Sequence, residues 1–230
     1  MLTLDQDYAD QLLSDTLPSF QATCPTTRNL GFGHLFYGFA RALRPKHVVV
    51  IGSKAGFAPI CFAKAMQDNE GYGLQRVDCF ETTLRCPGGR PRLDFVDPSY
   101  SIMRNDAGHS FGIGTWDEPE KVSSIWRAFG VHDIITHFTM RSSEYLQLPE
   151  SHDIDLLYVD GDHSYQGIMH DFTQFRARIA PGGLVLAHDV DPDCAETDGY
   201  GVLRDMPADL YEWVRVPIYP GLAIMRPRGA

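Results

Sequence analysis

The chain has no stretch of about 18 uninterrupted apolar residues, the length a membrane span requires, so no membrane partner is expected. Positive charge is in short supply. Twenty basic against 30 acidic side chains leave a formal charge of 20 − 30 = −10. Nucleic acid is therefore not an expected partner, because phosphate binding needs a basic face. The five cysteines, Cys24, Cys61, Cys79, Cys86 and Cys194, are odd in number and form no CxxC pair. Neither a thiolate metal centre nor a disulfide framework is expected. The opening MLTLDQDYADQLLSD lacks the basic n-region of a secretory signal, which makes the cytoplasm the expected location. There is no internal repeat and no low-complexity linker. The expectation is one domain over 1–230, with 1–45 as an N-terminal helical lid or substrate segment and 46–230 as the cofactor-binding core.

What the chain does have is an alternation of periods. Helical spacing predicts helices over 4–22, 34–43, 57–66, 118–129, 142–146 and 165–179. Between them lie short runs rich in β-branched residues: His47–Ile51, Leu93–Asp97, Asp133–Phe138, Ile154–Asp160 and Leu184–Ala187. Pro181-Gly-Gly183 reads as a turn before the last of these. The tail, 213–217 and 222–226 around Pro220-Gly221, reads as a hairpin. Segments 68–91 and 100–117 read as loops, the first with a short hairpin near 75–80. The fold class expected is α/β: a doubly wound, Rossmann-like, mainly parallel sheet with a C-terminal antiparallel hairpin.

In such a sheet, ligands sit beyond the carboxyl ends of the strands. The first strand-turn-helix, VVVIGSKAGFA, carries Gly52 for a tight turn and Gly56 where the helix begins. A third glycine in GxGxxG spacing is missing, as is a GK[ST] ending, which disfavours NAD and ATP. Asp97, ending LDFVDP, can accept bonds from both ribose hydroxyls or start the turn before Pro98. The stretch YVDGDHSYQG places Asp160, Asp162 and His163 at the mouth of a buried strand, and His188-Asp189 ends the next. Carboxylates on adjacent strand tips repel, and a divalent cation relieves that repulsion while lowering the pKa of a bound oxygen. The plainer reading makes Asp160-Gly-Asp162 a turn and Ser164 a helix N-cap.

Taken in order, VVVIGSKAG, LDFVDP, IDLLYVDGDHSY and PGGLVLAHDV resemble the class I S-adenosylmethionine-dependent methyltransferases over roughly residues 30–190. The closest flavour is the small-molecule O-methyltransferases of cephalosporin and macrolide-sugar biosynthesis, near the divalent-metal catechol and caffeoyl-thioester enzymes. The resemblance implies S-adenosylmethionine as cofactor, held by Gly52, Ser53, Gly56, Asp97, Ser142, Ser143 and Asp160, with the two serines near adenine. It implies Mg2+ or Mn2+ on Asp160, His188 and Asp189, of which His188 suits manganese better than magnesium. It places the base at His163, with Asp162 second. The implied reaction is metal-assisted O-methylation of a small-molecule acceptor. Metal-free N- or C-methylation, or from another class an NAD-binding oxidoreductase, are the alternatives.

The family commonly has an acid where this chain has Val50 and a glycine where it has Lys54. His34, Ser53 or Asp160 are the candidates to hold the cofactor's ammonium instead. Trp116 is a candidate cover for adenine or substrate. Arg28, His34 and Tyr37 lie where a lid is expected, with Tyr37 read as core. Asp171 and Arg176 read as a solvated helix face. The apolar N-terminal segment is a candidate homodimer contact.

Overall fold

The unbroken apolar run His47–Ile51 is buried along its whole length, as a strand covered on both faces must be. The computed structural model describes residues 6–16, 21–71, 90–98, 103–104, 110–111 and 119–229. Its strands are β1 (His47–Ile51), β2 (Arg92–Val96), β3 (Met103–Arg104), β4 (Ser110–Phe111), β5 (Ile135–Phe138), β6 (Ile154–Val159), β7 (Ile179–His188), β8 (Tyr211–Val216) and β9 (Leu222–Pro227). Its α-helices are α1 (Gln6–Thr16), α2 (Phe32–Leu43), α3 (Phe57–Gly71), α4 (Pro119–Ala128), α5 (Ser142–Tyr145), α6 (Tyr165–Phe175) and α7 (Gly199–Asp205).

The main sheet runs β5-β2-β1-β6-β7-β9-β8. The first five strands are parallel; β9 runs antiparallel to both β7 and β8. This is the doubly wound sheet with a C-terminal antiparallel hairpin that the residue pattern implies. Alternate side chains of β1 serve two cores. Val48 and Val50 pack with α1 to α4 on one face, and Val49 and Ile51 with α5, α6 and α7 on the other. Strand order reverses between β1 and β6, which opens a crevice between their carboxyl ends.

Several boundaries differ from expectation for visible reasons. α3 continues to Gly71 because its last turn is pinned to α2: Tyr37 Oη donates to Asp68 (2.7 Å) and Arg41 to Asn69 (2.6 Å). Tyr37 is core, as expected. α6 stops at Phe175, followed by a 3-10 turn, and Pro181-Gly-Gly183 falls inside β7 rather than before it. Ile179 pairs with Ile154, then the register slips before Leu184 meets Leu156. Gly182, with φ +78°, accommodates that irregularity. Within the expected loop 100–117, β3 and β4 pair antiparallel. Trp116 and the hairpin expected near 75–80 lie outside the described residues. Among the described residues no helix is long and apolar enough to cross a membrane.

Candidate functional site

The turn after β1 is built on a close approach. Gly52 has φ +73°, and a Cβ there would collide with the carbonyl oxygen of Asp160. Both features demand glycine, and they join the first βα turn to the end of β6. Gly52 N donates to Val96 O (3.0 Å) and Asp160 N to Ile51 O (2.9 Å), so the tips of β2, β1 and β6 form one continuous rim. Gly56 (φ +84°) opens α3, and Ser53 is buried between the two glycines. Asp97 continues from β2; its backbone binds Phe138 O and the His137 ring. Val50 is wholly buried in the core and offers no polar contact, while His34 is exposed on α2.

The pairing of β6 with β7 sets Val159 beside Ala187, which brings Asp160 and His188-Asp189 together across 29 positions of sequence. His188 Nδ1 lies 2.8 Å from Asp189 Oδ1 and 3.4 Å from Asp160 Oδ1. His163 Nε2 lies 3.6 Å from Asp160 Oδ1 and 3.4 Å from Asp189 Oδ2. Asp189 is in the left-handed region (φ +58°), a conformation that Asp tolerates better than most residues and that turns its carboxylate toward the cluster. Two imidazoles thus face the same two carboxylates. His163 is 30% exposed, whereas the His188 ring is sealed beneath, edge-on to Phe32 at 5.6 Å.

The charges reinforce one another. Burial opposes ionisation of Asp160, but His188 and His163 outweigh it and hold its carboxyl below the usual range. Burial likewise disfavours a charged His188, yet Asp160 and Asp189 push it up to about 10; they raise His163 in the same way. Despite these approaches, His188 Nδ1, His188 Nε2 and Asp189 Oδ1 make no aligned hydrogen bond. Close donors without hydrogen-bond geometry fit a shared cation, since ligand atoms about 2.1 Å from one ion lie about 3 to 3.5 Å apart. Asp160, His163 and Asp189 each offer one ligand atom within 4.8 Å of the others. The site residues therefore fit a divalent ion, and the imidazoles favour manganese over magnesium.

Asp162 does not join them. Its Oδ1 accepts the Ser164 N–H (3.0 Å), and Ser164 Oγ accepts Gly167 N–H (3.1 Å), so Ser164 caps α6 and Asp162 fixes the turn that leads into the cap. The turn-and-cap reading holds for Asp162 and Ser164, while the charged cluster forms on other side chains. Ser142 donates to Asp171 Oδ1 (2.7 Å) at the start of α5, and Ser143 follows it. Asp171 is not solvated. It shares the inward stripe of Ile168, Phe172 and Phe175, and burial lifts its carboxyl to about 7. Arg176 is also engaged, donating to the Leu210 carbonyl (3.2 Å) and contacting the Arg228 carbonyl. Arg28 is paired with Asp10 at the surface (3.3 Å).

Two partners of the site were not legible as such in the sequence. Tyr158 looks like one more apolar strand residue, but its hydroxyl donates to Asp160 Oδ2 (3.1 Å), with the Gln21 side chain as a polar neighbour. At the opposite end of the sheet, His47 and Asp94 form a second buried pair (3.1 Å). His47 Nδ1 is already bonded to His152 O and Asp94 also accepts Tyr145 Oη, so this pair is filled and fastens α5 to the sheet.

The segment that carries the glycine turn and the acidic strand tips matches a known family. A family model described as a methyltransferase domain matches residues 49–190. The chain belongs to the methyltransferase family. The match spans β1 to the residue after Asp189, and so contains the glycine turn and the whole cluster. Solved structures share the fold. The O-methyltransferase TomG from Streptomyces achromogenes, involved in tomaymycin synthesis and solved with SAM, is 16% identical, with a TM-score of 0.59 over 100% of this chain and 92% of that one. The SAH-bound methyltransferase PaMTH1 from Podospora anserina is 13% identical, with a TM-score of 0.60 over 99% and 89%. An O-methyltransferase from Bacillus cereus in complex with SAH is 13% identical, with a TM-score of 0.58 over 99% and 93%. An uncharacterized Sinorhizobium fredii protein, y4gI, is 23% identical over 171 residues; they take in 70% of this chain and 14% of that relative's length. Membership of the methyltransferase family removes the NAD-dependent oxidoreductase from the alternatives.

Proposed function

We propose that this methyltransferase moves a methyl group from S-adenosylmethionine to an oxygen of a small molecule, with a divalent cation at the acceptor. The observation that carries the reading is the junction of Gly52 with Asp160. It puts the turn expected to cradle the cofactor against the carboxylate that opens the Asp160, His163, His188, Asp189 cluster. Gly52, Ser53 and Gly56 would hold the donor's methionine end, Asp97 would accept from the ribose hydroxyls, and Ser142 and Ser143 would lie toward the adenine.

Asp160 and Asp189 would hold the cation with a nitrogen from His188. That leaves His163, the other ring beside both carboxylates, for the acceptor. A bound cation would lower the pKa of an acceptor hydroxyl. His163, the more exposed of the two rings, faces the acceptor and takes its proton. The acceptor oxygen's lone pair forms the new C–O bond as the C–S bond breaks, and that electron pair leaves on sulfur as S-adenosylhomocysteine. The chain's remaining task is alignment and exclusion of water.

A second reading has its own observation. Two imidazoles already balance two carboxylates, so the cluster is compensated by its own side chains. In that reading methylation at nitrogen, carbon or oxygen proceeds without a metal. Calorimetric titration with S-adenosylhomocysteine, with and without Mn2+, tests both. The main reading expects the thioether to bind and Mn2+ to add a second heat that Asp160→Ala abolishes. Binding of S-adenosylhomocysteine with no Mn2+ heat, and turnover that survives a chelator, leaves the second reading standing. No heat with S-adenosylhomocysteine overturns both.

A further inference from the structure

We infer that the segment Gln21–Phe32, which precedes the residues matched by the family model, is a positioning strap for the catalytic cluster, with Gln21 acting on Asp160 through Tyr158. The inference rests on the proposed role of Asp160.

The strap reaches the cluster on two sides. Tyr158 Oη donates to Asp160 Oδ2 (3.1 Å), which leaves Oδ1 as the oxygen facing both His163 and His188. The Gln21 side chain is a further polar neighbour of that hydroxyl. Gln21 Oε1 is buried and has no hydrogen-bond partner, so its amide NH2 is the group that can donate to Tyr158 Oη. Gln21 is only 8% exposed. The order inferred is amide to hydroxyl, then hydroxyl to carboxylate. Each link polarises the next, and the low-dielectric surroundings strengthen it.

On the other side, Phe32 stands edge-on against the His188 ring, at 90° and 5.6 Å. The two contacts are tied to each other, since Phe32 N donates to Gln21 O (2.9 Å). Gly31 makes the loop possible: it has φ +52°, and a Cβ would collide with the carbonyl oxygens of Gln21 and Ala22. Tyr158 itself is held by Phe36 and Phe62, at 5.0 and 5.7 Å between ring centroids. Its hydroxyl therefore presents a fixed point to Asp160. Partners of this kind orient a ligating or reacting side chain without touching the substrate.

The experiment compares Tyr158→Phe, Gln21→Leu and the double variant. Phenylalanine keeps the ring packing and removes only the hydroxyl. Two readouts are taken: imidazole resonances of histidine-labelled, metal-free protein, and Mn2+ affinity from the electron paramagnetic signal of free Mn2+. Each single variant is expected to move the His163 and His188 resonances and to weaken Mn2+ roughly tenfold to a hundredfold, with thermal unfolding still cooperative. The double variant should be no worse than Tyr158→Phe, because Gln21 acts through that hydroxyl. Unchanged imidazole resonances in both single variants overturn the strap, as do additive effects in the double variant. Wild-type protein that binds no Mn2+ counts against the metal reading alone; the strap is then judged by the imidazole resonances.

Discussion

Asp171→Asn isolates the electrostatic cost of one buried carboxyl. Asp171 is 2% exposed, its carboxyl accepts from the Ser142 hydroxyl at 2.7 Å, and burial raises that carboxyl from 3.8 to about 7. In the unfolded chain the group ionises near pH 4; in the fold it stays protonated until about pH 7. The raised folded-state value means that this group favours folding fully below the unfolded pKa, and that the advantage is lost as pH rises through the folded one. Each tenfold change in acid strength is worth ~1.4 kcal/mol, so the full loss is about 4 kcal/mol, roughly 3 of it between pH 5 and 8.5. Asparagine keeps the volume, cannot ionise, and can still accept from Ser142 through its amide oxygen. Urea unfolding of both proteins from pH 5 to 8.5 reads the difference, in which other titrating groups cancel. Asp171→Asn should gain on wild type steadily as pH rises and be the more stable protein at pH 8.5. A stability difference that is flat with pH would refute the reasoning, since it would mean that Asp171 ionises as freely in the fold as out of it.

Gly52→Ala should lower stability by about 1 to 3 kcal/mol, from left-handed backbone and the collision with Asp160, and should abolish S-adenosylhomocysteine binding in calorimetry. His163→Ala should cut turnover by roughly 10²- to 10⁴-fold as loss of the proton acceptor, whereas Asp162→Asn, which still accepts the Ser164 N–H, should stay within about threefold. A larger loss in Asp162→Asn than in His163→Ala would reverse their roles. Ser164→Ala should cost about 1 kcal/mol by loss of the α6 cap, seen as a lower urea midpoint with an unchanged slope. Prolonged dialysis against a chelator should remove turnover, and Mn2+ should restore it better than Mg2+.

Much of this molecule was legible in one dimension because local rules carried it. An apolar β-branched run such as Val48-Val-Val-Ile51 has one comfortable place, a strand covered on both faces, and five such runs separated by helical stripes leave little but a doubly wound sheet. Gly52 and the acidic residues after β6 and β7 marked the sheet edge where the charged cluster assembles, because strand ends are where such a sheet admits ligands.

The rest depended on distance in sequence. Nothing local says that β9 slips between β7 and β8, since a hairpin can dock by either strand. Asp171 looked solvated because a charge is normally taken as an outer residue, although it shares an inward stripe with Ile168, Phe172 and Phe175. Tyr158 reads as core until Asp160 and Gln21 are seen at its hydroxyl, and Gln21 stands 137 positions earlier in the chain. Local patterns assign each residue a face or a strand end, because periodicity and backbone sterics act over a few positions. Which polar atoms then meet is a property of packing, where burial makes every unpaired group costly and so selects its partner from anywhere in the chain.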